Sequence, residues 1–313
     1  MPIKRLLALL LTAALLVCTL SACTEQTEES GDVSRASGTD ADALAQVSHY
    51  LEYYKEKPFT SYREVAAVYS LGTDFDGYDL SRLTPGEDAD IDEKAGAAIA
   101  GALLEKAGVE TGLGASAYAA ELATLLEGSL SEMDTETLCD VALALLCTGQ
   151  AHDPSLIVDE LEARQVRSGG IAAVKPVSED EVIAADPDAT AAAMTVFAVY
   201  KSQVDSTVYD NTLMYIYNTA SEEDASFVDI DGKKSAITTS KTLVALLCAG
   251  VSIGGSLCSN IKTTLDTFRY EPAGYFAGMR AHQGGAFSEE ATAECFLAFA
   301  FSVYGPTWVK LAE

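Results

Sequence analysis

The residues with the most chemistry to offer lie in one short stretch near the carboxyl end, GGAFSEEATAECFLAF from Gly284 to Phe299. Its glutamates, Glu289, Glu290 and Glu294, are of the type that carries protons in acid–base catalysis, and Cys295 has the thiol of a nucleophile or soft metal ligand. A second pair of carboxylates, Asp186 and Asp188, opens the apolar segment DPDATAAAMTVFAVY. A bland reading stands beside each. Acids at a helix start suit the helix dipole, and a small cysteine fills a core. A raised pKa for Asp186, Asp188 or Glu294 inside a cavity would mark an enzyme, and ordinary values at the surface would mark a binder.

The remaining constellations are poorer. Zinc-activated thiol chemistry needs clustered Asp, Cys and His, but His49, His152 and His282 are scattered and no C-x-x-C occurs. Protonation of an alkene needs a D-x-D-D cluster, which none of the stretches at Asp74, Asp88 and Asp229 supplies. Asp88, Asp90 and Asp92 begin like a calcium-binding EF-hand loop, but Glu93 stands where glycine is needed and Ile99 where a bidentate glutamate is needed. No G-x-S-x-G is present. The sequence therefore assigns no catalytic residue, no metal ligand and no cofactor. Tyrosines are the softer signal, fourteen against one tryptophan. Tyr62 and Tyr69, Tyr215, Asp188 and Glu294 form the expected ligand-binding set, with Tyr50, Tyr53, Tyr54, Tyr200, Tyr209 and Tyr217 as further aromatic candidates.

Chain-wide features bound what these residues serve. Of 313 residues the first 22 read as an export signal: Lys4 and Arg5, an apolar run from Leu6 to Leu20, then Leu20-Ser21-Ala22-Cys23, which resembles the bacterial lipobox. The expectation is a lipid on Cys23, a flexible acidic tether over 23–40, and a folded domain over 41–313, held on a bacterial membrane and facing away from the cytoplasm. The formal charge of −27 becomes −29 once Lys4 and Arg5 leave. Such a field repels phosphate backbones, so nucleic acid is excluded as a partner and membrane contact falls to the lipid alone. The five cysteines after Cys23 are expected mostly as buried thiols.

From Ala41 onward apolar segments of helical period alternate with Gly, Pro, Asp and Ser punctuation, and strand alternation is scarce. Eleven helices are predicted, beginning with Ala41 to Lys55 and Ser61 to Leu71 and ending with Ser256 to Phe268 and Glu289 to Tyr304. Four of them repeat a threonine-led apolar pattern at Thr137, Thr190, Thr239 and Thr292, spaced 53, 49 and 53 residues apart. Two intervening loops also correspond, with Leu161 nine residues before Gly170 and Leu265 nine before Gly274.

Gln165-x-x-x-Gly169-Gly170-Ile171, Asp186-Pro-Asp188-Ala-Thr190-Ala, and Gly284-Gly285-Ala-Phe287 followed by Glu290-Ala-Thr292-Ala-Glu294 resemble the repeats of prenyltransferases and terpene cyclases. The resemblance runs from Thr135 to Tyr304 and is only topological over 41–130. It implies an all-α fold, an α/α toroid of five to six helical hairpins around a central cavity. Without the catalytic motifs of that superfamily, the expected function is a non-catalytic surface lipoprotein binding a small molecule, a glycan or a protein. Its alternative is a cyclase or transferase acting on an isoprenoid or cell-envelope substrate through carboxylates.

Overall fold

The computed structural model describes residues 41–126, 128–176 and 183–308. The expected export signal, the lipobox with Cys23 and the tether lie outside them. Eleven α-helices are present among the described residues: α1 (Ala41–Tyr54), α2 (Tyr62–Leu71), α3 (Ile91–Lys106), α4 (Ala115–Leu126), α5 (Thr135–Thr148), α6 (Pro154–Glu162), α7 (Pro187–Val199), α8 (Ser206–Thr219), α9 (Ala236–Cys248), α10 (Ser256–Asp266) and α11 (Glu289–Tyr304). One two-residue hairpin, β1 (Met279–Arg280) antiparallel to β2 (Phe287–Ser288), leads into α11. No helix among the described residues is long and apolar enough to cross a membrane.

Most helices start at a cap that the sequence writes plainly. Ser61 with Glu64 and Asp90 with Glu93 form capping boxes, while Asp134, Asp153, Asp186, Asp205, Ser235 and Ser288 each accept a backbone N–H of the first turn. Pro154 and Pro187 occupy first-turn positions where a missing N–H costs nothing. Gly72 and Gly149 end α2 and α5 in the left-handed region that glycine reaches without strain.

Six helices form an inner ring in the order α2, α3, α5, α7, α9, α11, and α11 packs back on α2 to close it. The inner helices are nearly all buried, and Ala95, Ala98, Ala142, Ala144, Ala193, Ala245, Ala298 and Ala300 let them approach closely. The outer helices α1, α4, α6, α8 and α10 pack on α11, α3, α5, α7 and α9 respectively. This is the expected α/α toroid, with five outer helices. Between α2 and α3, residues 72–90 supply only a single 3-10 turn at Ser81–Leu83 where the alternation would place a sixth.

The closing seam is aromatic. Tyr50 stacks on Phe296 at 5.4 Å between centroids, Tyr54 lies at 5.4 Å from the same ring, and Tyr54 meets Phe59 edge-on at 5.3 Å. The tyrosines crowded on α1 are therefore mortar between α1, α2 and α11, and not the walls of a cleft. Cys139, Cys147, Cys258 and Cys295 are buried, and none of the five described cysteines is in a disulfide.

The threonine of the repeat has a structural duty. Thr190, Thr239 and Thr292 each donate to the carbonyl of the residue capping their own helix, at 2.6, 2.6 and 2.7 Å. Each also accepts a backbone N–H from the preceding loop, from Ile171, Phe227 and Met279, at 2.9, 3.0 and 2.9 Å. The hydroxyl thus straps an incoming loop to the inner helix it serves. Gly170 and Gly278 stand just before two of these loop residues, and a Cβ at either would lie within 3 Å of an aromatic ring. Gly278 is therefore the true counterpart of Gly170. Gly274, the glycine matched by sequence, instead takes a positive φ of 81° in its own turn.

Candidate functional site

The caps fix a register that identifies the site. Counted from its cap, the second residue of each inner helix is Arg63, Asp92, Glu136, Asp188, Ile237 or Glu290, and the sixth is Ala67, Gly96, Asp140, Ala192, Lys241 or Glu294. Residues four apart share a helix face, roughly 6 Å apart along the axis. All but Ala67, Asp188 and Ile237 line one cavity system, so the six inner helices bring their amino-terminal ends to the same mouth. The mouth has a volume of about 420 Å³ and passes into a narrower floor formed by Cys139, Leu143, Thr195, Val244, Leu297 and Trp308. A side lobe of about 310 Å³ opens between α2 and α3 under residues 82–86.

Charges of both signs meet there. The Arg63 guanidinium touches Glu294 (Nε to Oε1, 2.5 Å) and reaches Asp140 (Nη2 to Oδ2, 3.8 Å). Tyr62 Oη donates to Asp140 Oδ1 at 2.7 Å. Lys241 is bonded to Glu136 and lies 4.0 Å from Asp188. In the ring order α5 and α11 are opposite one another, so Asp140 and Glu294 face across the cavity with Arg63 contacting both.

Burial governs the proton affinities. Glu294, with 3% of its side chain exposed, is raised by burial, with Arg63 and Lys241 opposing. Asp140 is raised by burial against Arg63 and the Tyr62 hydrogen bond, and Asp188 by burial against Lys241. Asp92 moves the same way, from burial, with a Thr137 hydrogen bond opposing. Burial would lower Lys241, but Glu294, Glu136 and Asp188 together hold it above its ordinary value. Burial thus makes several carboxylates around one cavity hold their protons to higher pH than they would in water.

Neighbouring contacts hold this arrangement. The fully buried Arg164 donates to Glu160, Thr135 and the Leu130 carbonyl, and Thr135 donates to the Ala172 carbonyl at 2.6 Å, pinning the start of α5 that carries Asp140. Glu289 and Glu290 lie in the first turn of α11, capped by Ser288, as their position predicts. Cys295 is buried, takes a hydrogen bond from Ser240 Oγ at 3.1 Å and has its thiol pushed up to about 12 by burial, which disfavours the thiolate that a nucleophile or metal ligand needs.

Of the five residues expected to bind ligand, Tyr62 and Glu294 line the cavity, and Asp188 stands at its edge against Lys241. Tyr69 packs on the core and does not line it, because it lies seven residues further along α2, away from the amino-terminal mouth. Tyr215 sits on outer helix α8, against Gly170, in a separate surface cleft with Gln165, Asn211 and Asn218. Asp186 is a cap, accepting from Asp188 and Ala189. Sequence reasoning missed Arg63, Glu136, Asp140 and Lys241. The repeat alignment at Thr137 is displaced by one residue relative to the caps, which set Cys139 opposite Glu294 where Asp140 belongs. Aligning Asp134, Asp186, Ser235 and Ser288 would have found it.

No protein-family model matches the chain, and no curated protein matches it. Among solved structures, a glycosyl hydrolase family 88 protein from Bacteroides vulgatus is similar over 88% of this chain and 100% of that one, at TM-score 0.55 and 13% identity. A structure described as a UGL variant with dGlcA-Glc-Rha-Glc is similar more loosely, over 85% and 97%, at TM-score 0.40 and 12% identity. The likeness establishes the α/α toroid. It also corrects the functional expectation: the neighbour from Bacteroides vulgatus is described as a glycosyl hydrolase, which fits neither a non-catalytic binder nor an enzyme of isoprenoids.

Proposed function

We propose that this chain is a glycan-processing hydrolase that cleaves a glycosidic bond in the cavity at the mouth of the toroid. One observation carries the reading: Asp140 and Glu294, both raised by burial, face each other from opposite inner helices across a cavity able to admit a sugar. Glycoside hydrolysis generally uses two carboxylic groups flanking the scissile bond, one as acid and one as base or nucleophile. Glu294, the more buried, donates its proton to the leaving oxygen as the C–O bond breaks. Asp140, held by Tyr62 and Arg63, takes the proton of the attacking water. Arg63 positions both carboxylates and Lys241 tunes Glu294 by its field. The likeness to a glycosyl hydrolase toroid supports the same class of reaction.

The test is release of reducing ends from a panel of neutral and acidic oligosaccharides by the purified chain. Hydrolysis should fall roughly 10²- to 10⁴-fold in Glu294→Gln and in Asp140→Asn, the usual loss for a proton-transfer group. No release across the panel, or wild-type rates in both variants, would refute the assignment. We also propose that the protein is lipidated on Cys23 and works at the outer face of a bacterial membrane, where glycans are met. Cys23→Ser should abolish lipid labelling and move the protein to the soluble fraction, and a variant still labelled and membrane-bound would end that proposal.

A further inference from the structure

The inner ring is symmetric in plan except at one position. Between α2 and α3 an outer helix is missing, and here the cavity opens sideways into the lobe roofed by Arg82, Leu83, Thr84, Pro85 and Gly86. The lobe and the mouth share Arg63, Asp92 and Asp140, so the two lie side by side against the same three side chains. The inner wall of the lobe is Gly96, at the sixth position of α3, where α5, α9 and α11 carry Asp140, Lys241 and Glu294.

Glycine weakens a helix interior, by about 1 kcal/mol relative to alanine. Packing explains the other glycine of this helix: a Cβ at Gly101 would come within 2.9 Å of the Ala115 Cβ, where α4 crosses close. Gly96 has no such reason. Its φ is not positive, and a Cβ there would meet only Tyr62 Cδ1, at an ordinary 3.6 Å. What an added side chain would fill is the lobe.

We propose, resting on the hydrolase reading above, that this lobe is a second sugar subsite, which holds the residue adjoining the one at Asp140 and Glu294, and that Gly96 sets how many sugar residues the site accepts. The occupant we assign is a neutral sugar. Asp92, Glu93 and Asp140 outnumber Arg63 and Arg82 around the lobe and disfavour a uronate, whereas hydroxyls pair with Asp92, Thr84 and Arg82 together. At about 310 Å³ the lobe is at the low end of pockets that hold small ligands, a size suited to one ring and not to a chain.

The experiment measures both binding and cleavage of neutral oligosaccharides of one to four residues by the full chain, with matched uronate-ended disaccharides alongside. Wild type should gain about tenfold or more in affinity from one residue to two and little beyond. Gly96→Leu should remove that gain, and Thr84→Trp, which narrows the lobe from its opposite wall, should do the same with thermal melting unchanged. An affinity independent of length, a gain that survives both variants, equal preference for the uronates, or no binding by any probe overturns the subsite. Binding with the length step but without cleavage leaves the subsite standing and removes the hydrolase reading. Cleavage without the length step does the reverse.

Discussion

Arg63→Met offers the sharpest test of how the site is held together. The guanidinium is in contact with Glu294 and within ion-pair range of Asp140. Removing one partner of a buried ion pair costs about 3 to 5 kcal/mol, and because 22% of the Arg63 side chain is exposed the lower end applies, roughly 3 kcal/mol. At some 2 to 4 °C per kcal/mol for a domain of this size, Tm should fall by about 6 to 12 °C. The loss should depend on pH with a definite sign. Glu294 and Asp140 are raised in the folded chain by burial, against the opposing pull of Arg63, so without it they rise further. A group raised on folding contributes stability that is complete below its unfolded pKa and is lost as pH climbs through the folded value. The variant should therefore approach wild type in acid and fall away from it as pH rises past the ordinary carboxylate range. Urea denaturation across that range, on Arg63→Met and on Arg63→Met combined with Glu294→Gln, provides the measurement. The second substitution should restore part of the loss, with a coupling above about 0.5 kcal/mol. Additive effects, or a loss that is the same at every pH, would refute the network.

Three further outcomes are expected. Phe296→Ala, which empties the stack between Tyr50 and Tyr54 where the ring closes, should cost about 3 to 5 kcal/mol in chemical denaturation. Thr292→Val leaves the buried Met279 N–H without its acceptor; a loss of about 1 to 3 kcal/mol, with faster hydrogen exchange at Met279 than at the matching Ile171, would be its signature. Cys295, buried and with its thiol pushed up to about 12, should resist iodoacetamide at neutral pH until the chain is unfolded, and rapid labelling of the native protein would contradict the packing.

Much of this molecule was legible in the chain. Helix existence is a local property, written in apolar period and in caps such as Ser61 with Glu64 or Asp186 before Pro187, so all eleven helices and most of their ends could be read directly. Of the repeated threonines, Thr190, Thr239 and Thr292 perform the same local task, strapping a loop to the helix it precedes, while Thr137 lies one residue off that register. Glu294 was visible as the odd carboxylate in an otherwise apolar copy. Asp140 was not, since a one-residue slip in aligning Thr137 moves a side chain by about 100° around a helix and onto another face.

Tertiary structure decided the rest. Whether a tyrosine lines a cavity or cements a seam depends on which helix becomes its neighbour, and that separated Tyr62 from Tyr69, Tyr215 and the tyrosines of α1. Closure of α11 onto α2 brings Arg63 to Glu294 across more than two hundred residues of chain, and burial there raises carboxylates that would be ordinary in water. No local pattern records that environment. The sequence by itself determined the helices, the repeat and the acidic character of the chain, whereas the ring alone turned scattered charges on five inner helices into one site.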